Sequence, residues 1–249
     1  PAERAGREAA GRLACLLAVA LTACAGGGEP PAPSGSPASA PLEALKEPAN
    51  SMSVSPPLSP APVSAEALAA YRALLAGEPG ALDRPPEGLE LHQVTLPPAE
   101  ELEYVLLDLD GDGGAELVVQ MVAQPHQFNA VFHYGDGELS CWQYDIMEMS
   151  CRDYPLGDGA MVRQYDTGTG PNRYSNLYTV FRYLPDGETE ECASLAVHQD
   201  TQEDGTEVFT YLVDDAEVDQ DTFAAEFEEL VGSRLLSLED WTPATERPG

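Results

Sequence analysis

The stretch Asp108-Leu-Asp-Gly-Asp-Gly-Gly-Ala-Glu116 places acidic residues at relative positions 1, 3, 5 and 9 and glycine at position 6. Carboxylates this crowded repel one another, so the segment must form a loop in which something offsets their charge. A hard divalent cation takes six to eight oxygens, and a short loop supplies them from alternate residues. The spacing therefore predicts a calcium cage. Asp108, Asp110 and Asp112 offer side-chain oxygens, Gly114 its carbonyl at position 7, and Glu116 closes at position 9, directly or through water. Gly113 permits the positive φ of a sharp ligand loop. Magnesium fits less well because it demands stricter octahedral geometry. Metal affinity at such a loop becomes folding free energy, and extracellular modules bind calcium at about 10⁻⁴ to 10⁻³ M, so the expected ion is structural.

The flanks of the loop are apolar and strand-like. Position 12, where an EF-hand carries a bidentate Glu, is Val119. The loop thus resembles the Asp-x-Asp-x-Asp-Gly-x-x-Asp/Glu loops of FG-GAP and VCBS repeats. Only one copy is present, and a propeller needs several blades, so the resemblance extends to the loop and not to that fold. The segment Tyr104–Val119, together with Tyr211–Asp219 and the helix after it, also looks like a group of lipoproteins from anaerobic Gram-positive bacteria. No activity is implied by that likeness.

The beginning of the chain supports an exported, anchored protein. Arg4, Arg7 and Arg12 precede the apolar run Leu13–Leu21, which is short for a bilayer span. Leu21-Thr22-Ala23-Cys24 resembles the bacterial lipobox, which implies a signal peptide over 1–23 and a lipid on Cys24. Residues 24–62 are rich in Pro, Ser, Gly and Ala and read as a disordered tether. The membrane, reached through Cys24, is the first expected partner, with the folded part facing the extracytoplasmic side.

Net charge decides against nucleic acid as a partner. The chain holds 43 Asp and Glu against 12 Lys and Arg, a formal charge of -31. Such a surface repels nucleic acid. Of five cysteines, Cys141, Cys151 and Cys192 fall in the folded part; they include no C-x-x-C pair, which argues against a zinc site. Cys141 and Cys151 are close enough in sequence to face each other across adjacent strands.

Residues 63–241 form one domain of α+β class, a mainly antiparallel sheet or meander with an N-terminal and a C-terminal helix packed on it. Ser64 caps the first helix, Val63 staples to Leu68, and Leu68, Tyr71 and Leu75 form its stripe up to Gly77. Asp219 caps the last helix, with Val218 stapled to Phe223 and with Phe223, Phe227, Leu230 and Val231 inward. Between them, strands run over 104–108, 116–123, 128–134, 138–144, 178–184, 192–198 and 207–213. Asp-Gly turns separate several of these strands. Residues 152–176 read as a long polar loop with a weak strand near Met161, and 242–249 as a disordered tail.

No catalytic motif appears. His92, His126, His133 and His198 lie in no H-E-x-x-H, and no G-x-S-x-G elbow occurs. Tyr165, Tyr174, Tyr178, Phe181 and Tyr183 fit core packing better than a sugar or peptide groove. The expected function is a non-catalytic, lipid-anchored domain with one structural calcium that binds a glycan, a peptide or an envelope protein. The alternatives are a cell-surface hydrolase using unrecognised carboxylates, or an envelope assembly subunit.

Overall fold

The computed structural model describes residues 61–144, 151–170, 172–246 and 248. The expected signal peptide, the expected lipid site Cys24 and the expected tether up to residue 60 lie outside them. Among the described residues no helix is long and apolar enough to cross a membrane.

Helix α1 (Ala65–Leu75) begins at Ser64, whose hydroxyl accepts from Ala67 N–H. It ends in a Schellman turn: Glu78 N–H reaches Ala73 O, Gly77 N–H reaches Leu74 O, and Gly77 takes φ +67°. Its buried stripe is Ala67, Tyr71, Leu74 and Leu75. Leu68 lies one position off that stripe and is only half-buried.

Eleven strands follow among the described residues: β1 (Leu102–Leu107), β2 (Glu116–Met121), β3 (Gln124–Gly135), β4 (Glu138–Tyr144), β5 (Cys151–Pro155), β6 (Met161–Gly170), β7 (Arg173–Tyr183), β8 (Thr189–Thr201), β9 (Glu207–Val213), β10 (Ala216–Val218) and β11 (Thr242–Pro243). They form two antiparallel sheets rather than one meander. The first runs β11-β1-β2-β3-β4, the second β10-β9-β8-β7-β6-β5. Helix α2 (Gln220–Leu230) starts at Asp219, whose Oδ1 accepts from Thr222 N–H. The α+β class thus stands.

Alternation along each strand sorts the core into three layers. Leu102, Tyr104, Leu117, Val119, Ala130 and Phe132 face α1. Their neighbours Val105, Leu107, Val118 and Val131 face the second sheet and meet Met161, Phe181, Tyr183 and Trp241. Val162, Tyr178, Val180, Leu195 and Val197 turn the other way, onto Phe223, Phe227 and Val231 of α2 and its end. A sheet residue therefore has one of two destinations set by its parity.

Two expectations are corrected. Residues 152–170 and 172–176 are not a long loop: β5, β6 and the first four residues of β7 occupy most of them, in register from Cys151↔Tyr165 to Pro155↔Met161 and from Met161↔Phe181 to Gly168↔Tyr174. Beside their apolar core residues, these strands bury polar side chains that pair with one another. Asp153, fully buried, receives both Arg163 Nε and Nη2 at 2.9 Å, and Gln164 donates to Asp166 and accepts from Tyr154. Nor are 242–246 part of a frayed tail. Thr242 and Pro243 pair with Tyr104 and Glu103, Ala244 N–H bonds Leu102 O, and Ala244 is buried. That edge pairing extends the first sheet.

Cys141 lies in β4 of the first sheet and Cys151 in β5 of the second, so they do not face each other across adjacent strands; none of the three described cysteines is joined in a disulfide. Burial pushes the Cys141 thiol up to about 12.

Candidate metal centre

The acidic loop is the tip of the β1–β2 hairpin, closed by Leu107↔Glu116 at the base of the two strands. Its backbone folds around its own carboxylates. Asp108 accepts from Gly111 N–H at 2.7 Å and from Gly113 N–H at 3.1 Å. Asp110 Oδ1 accepts from Asp112 N–H, and Asp112 Oδ1 from Gly114 N–H. Gly111 and Gly113 take φ +77° and +89°, a region that costs a side-chain-bearing residue strain. Leu109 points the opposite way and is fully buried between the sheets. Tyr71 of α1 donates to Ala115 O at 2.8 Å and fastens the far end of the loop to the helix.

These contacts gather the carboxylates. Asp108, Asp110 and Asp112 each present an oxygen within 4.8 Å of the others, close enough to hold a metal ion. Among the described residues, no Arg or Lys bonds to any of the three. Asp110 Oδ2 is buried and has no hydrogen-bond partner, and a buried charged oxygen without a partner is costly. An oxygen-only donor set with one unsatisfied lone-pair group suits a hard cation. Gly114 lies in the same turn, its amide bound to Asp112.

Glu116 departs from the expected ring. Only 1% exposed, it turns inward: Oε2 accepts from Leu109 N–H at 2.8 Å, which cross-braces the loop, and Oε1 accepts from His133 Nδ1 at 2.9 Å. Its ligand oxygen groups with Asp110 and His133, not with Asp108 and Asp112. Asp110 is common to both groups.

His133 is the residue that sequence reasoning missed at this centre. The β2–β3 register Leu117↔Phe132, continued by one residue, puts it opposite Glu116. Its ring is held from three sides. Trp142 stacks on it at 4.3 Å and 11°, and Trp142 stacks in turn on Tyr183 of the second sheet. Gly135 leaves room at Nε2, where an added Cβ would stand 2.4 Å away. The missing signal was the β2–β3 turn, whose position fixes the register.

Electrostatics follow from this packing. Burial raises the Glu116 carboxyl, while the His133 and Leu109 hydrogen bonds pull it back. Burial raises Asp110 as well, with the Asp112 and Asp108 charges adding to the shift. For His133, burial favours the neutral ring, but the Glu116 hydrogen bond and charge outweigh it and the net shift is upward. The Tyr71 hydroxyl is pushed up by burial and then by Glu116. Negative charge at the centre is thus only partly offset from within the chain.

The remaining residues considered for chemistry lie elsewhere. His198 Nδ1 pairs with Ser175 Oγ at 2.7 Å. Tyr178, Phe181 and Tyr183 are buried in two different core layers. The apolar cleft beside α2, lined by Tyr154, Val162, Tyr178, Val231 and Leu235, holds no carboxylate, imidazole or thiol. Compared with protein families, with curated proteins and with solved structures, the chain matches none.

Proposed function

We propose that the chain is a lipid-anchored, extracytoplasmic binding domain whose β1–β2 loop is held in shape by one calcium ion. One observation carries the metal reading: three aspartates converge at a turn where, among the described residues, no Arg or Lys bonds them, and Asp110 Oδ2 is buried without a hydrogen-bond partner. Asp108, Asp110 and Asp112 would hold the ion, with the Gly114 carbonyl joining them and Glu116, turned toward His133, reaching the ion through water. The ion would supply positive charge and cross-link the loop; Glu116, already tied to Leu109 N–H, would transmit its position to β2.

Two sequence features support the anchored, extracytoplasmic part: the lipobox-like Leu21-Thr22-Ala23-Cys24 and the Pro/Ser-rich stretch behind it. Binding is favoured over catalysis because the carboxylates raised by burial, Asp110 and Glu116, belong to the loop itself, while Asp158, Asp204 and Asp219 are lowered by their bonding partners at turns and a helix cap.

Thermal melts after EDTA treatment, with calcium or magnesium restored, test the metal. At 10 mM calcium and the affinity range of extracellular modules, the expected gain is about 1.4 to 2.7 kcal/mol, a rise of several degrees. Asp108→Ala combined with Asp112→Ala should abolish it. A gain that survives in that double variant would refute the site. The anchor is tested by labelling cells with a fatty-acid probe: Cys24→Ser should lose the label and leave the membrane fraction.

A further inference from the structure

Strand β9 is paired on one side only along its first half. Asp214 N–H bonds Ser194 O at one end of the β8–β9 ladder and Gln202 N–H bonds Thr206 O at the other. Antiparallel bonding alternates, so in the register Leu195↔Val213 to Thr201↔Glu207 the backbone groups of Leu212, Thr210 and Val208 face β8. Those of Val213, Tyr211, Phe209 and Glu207 face outward. The short β10 takes the first two, through Ala216↔Val213 and Val218↔Tyr211, and the chain then leaves into α2. Among the described residues, no strand lies beyond Phe209 and Glu207.

This open edge is apolar on both faces and flanked in sequence by acidic residues, of which Asp200 is paired with Arg173. Phe209 and Val208 are 46% and 45% exposed and point to opposite sides of the sheet. Phe209 is stacked beside Tyr211, ring centroids 6.5 Å apart, a platform for a cation over an aromatic face. From Gln199 to Ser233 the chain has twelve Asp or Glu and no Lys, Arg or His. Charged edges of this kind discourage pairing between copies, and the net charge of -31 opposes self-association generally. The same charge attracts a cationic chain.

We propose that the outer edge of β9 takes up an extended polypeptide segment bearing Lys or Arg, as an added strand bonded to Phe209 and Glu207. This supplies the partner class for the binding role proposed above and rests on that role, but not on the calcium ion. Main-chain bonds give the register, Val208 and Phe209 take alternate apolar side chains, and the surrounding carboxylates select for basic ones.

The test is fluorescence anisotropy with a labelled ten-residue peptide alternating Lys with Val or Thr, at low salt, on the purified protein. The peptide should bind, at least tenfold more tightly than the same sequence N-methylated at every residue, which keeps the charge but cannot donate to a strand. A version with Glu replacing Lys should not bind. Phe209→Pro removes one outward N–H without touching the β8 ladder, as edge strands tolerate, and should weaken binding about tenfold. Glu207→Lys should weaken it severalfold. Three outcomes overturn the proposal: no binding of the Lys peptide, equal binding of the N-methylated one, or self-association at high salt that Phe209→Pro abolishes, which would make a second copy the occupant. If Phe209→Pro does not fold, the comparison of the two peptides on the unaltered protein decides. The calcium-dependent melt is read on the same samples, so a missing metal effect and a missing peptide effect are told apart.

Discussion

The loop at Asp108–Glu116 and the turn at Leu156–Ala160 touch each other, yet they handle negative charge in opposite ways. In the turn, Asp158 Oδ2 receives Arg182 Nη2 at 2.8 Å and Arg234 Nη2 at 2.6 Å. Burial alone would raise its carboxyl, but the Arg234 hydrogen bond and the two guanidinium charges outweigh burial and lower it. In the loop, three aspartates have only backbone amides for partners, and Asp110 is raised. A carboxylate with its own guanidinium needs nothing from solvent. A group of carboxylates bound only by N–H dipoles holds a net charge that an external cation can relieve. The contrast separates structural acids from candidate ligands better than acid density, since acids occur throughout the chain.

The contact between the two is backbone against backbone. Gly159 has φ +83°, and a Cβ there would stand 2.0 Å from Asp108 O. Gly159→Val should therefore be the most damaging change, combining strain at positive φ with a clash that must move the first ligand. The expected cost is about 3 kcal/mol or more, read as a lowered urea midpoint together with a weakened calcium response. A normal calcium response in a merely destabilised Gly159→Val would show that the turn does not position the loop.

Next in size is His133→Leu, which leaves Glu116 buried opposite an apolar side chain. Breaking a buried pair on one side costs about 3 to 5 kcal/mol; the partial exposure of His133 and the remaining Leu109 bond reduce this to about 2 kcal/mol. A loss well under 0.5 kcal/mol would mean that the Glu116–His133 pair contributes nothing to the hairpin.

The smallest expected effect tests the turn side. Arg234→Met removes one of the two guanidinium partners of Asp158 and a bond to Leu230 O at the end of α2. Because Asp158 is 44% exposed, solvent screening limits the loss to about 1 kcal/mol. The pH dependence has a definite sign. A carboxylate lowered in the folded state adds stability above its unfolded value and loses it as pH falls through the folded value. The unaltered protein should thus lose this contribution below about pH 4, whereas Asp158→Asn should show a flatter acid limb. Parallel acid limbs for the two proteins would count against the pairing.

The capped helices were legible because capping is local: Ser64 and Asp219 bond amides three residues on. Strand positions were legible where apolar alternation or an Asp-Gly turn marked them, as at β4 and β9. The hidden strands, β5 and β6, satisfy Asp153, Arg163 and Gln164 across the ladder, so their polar composition concealed burial. Likewise Thr242–Pro243 carry no strand pattern and pair only because β1 offers a free edge.

The amino-acid order alone determined the oxygen spacing of the loop, the glycines that let it turn, the two helix caps and the α+β class. All of these depend on neighbours within a few residues. Only the tertiary structure decided that Glu116 turns toward His133, that Asp158 and not Asp110 has guanidinium partners, and that β9 keeps half an edge open. Each of these depends on register or on a residue dozens of positions away, and strand pairing brings such residues together without leaving a local trace.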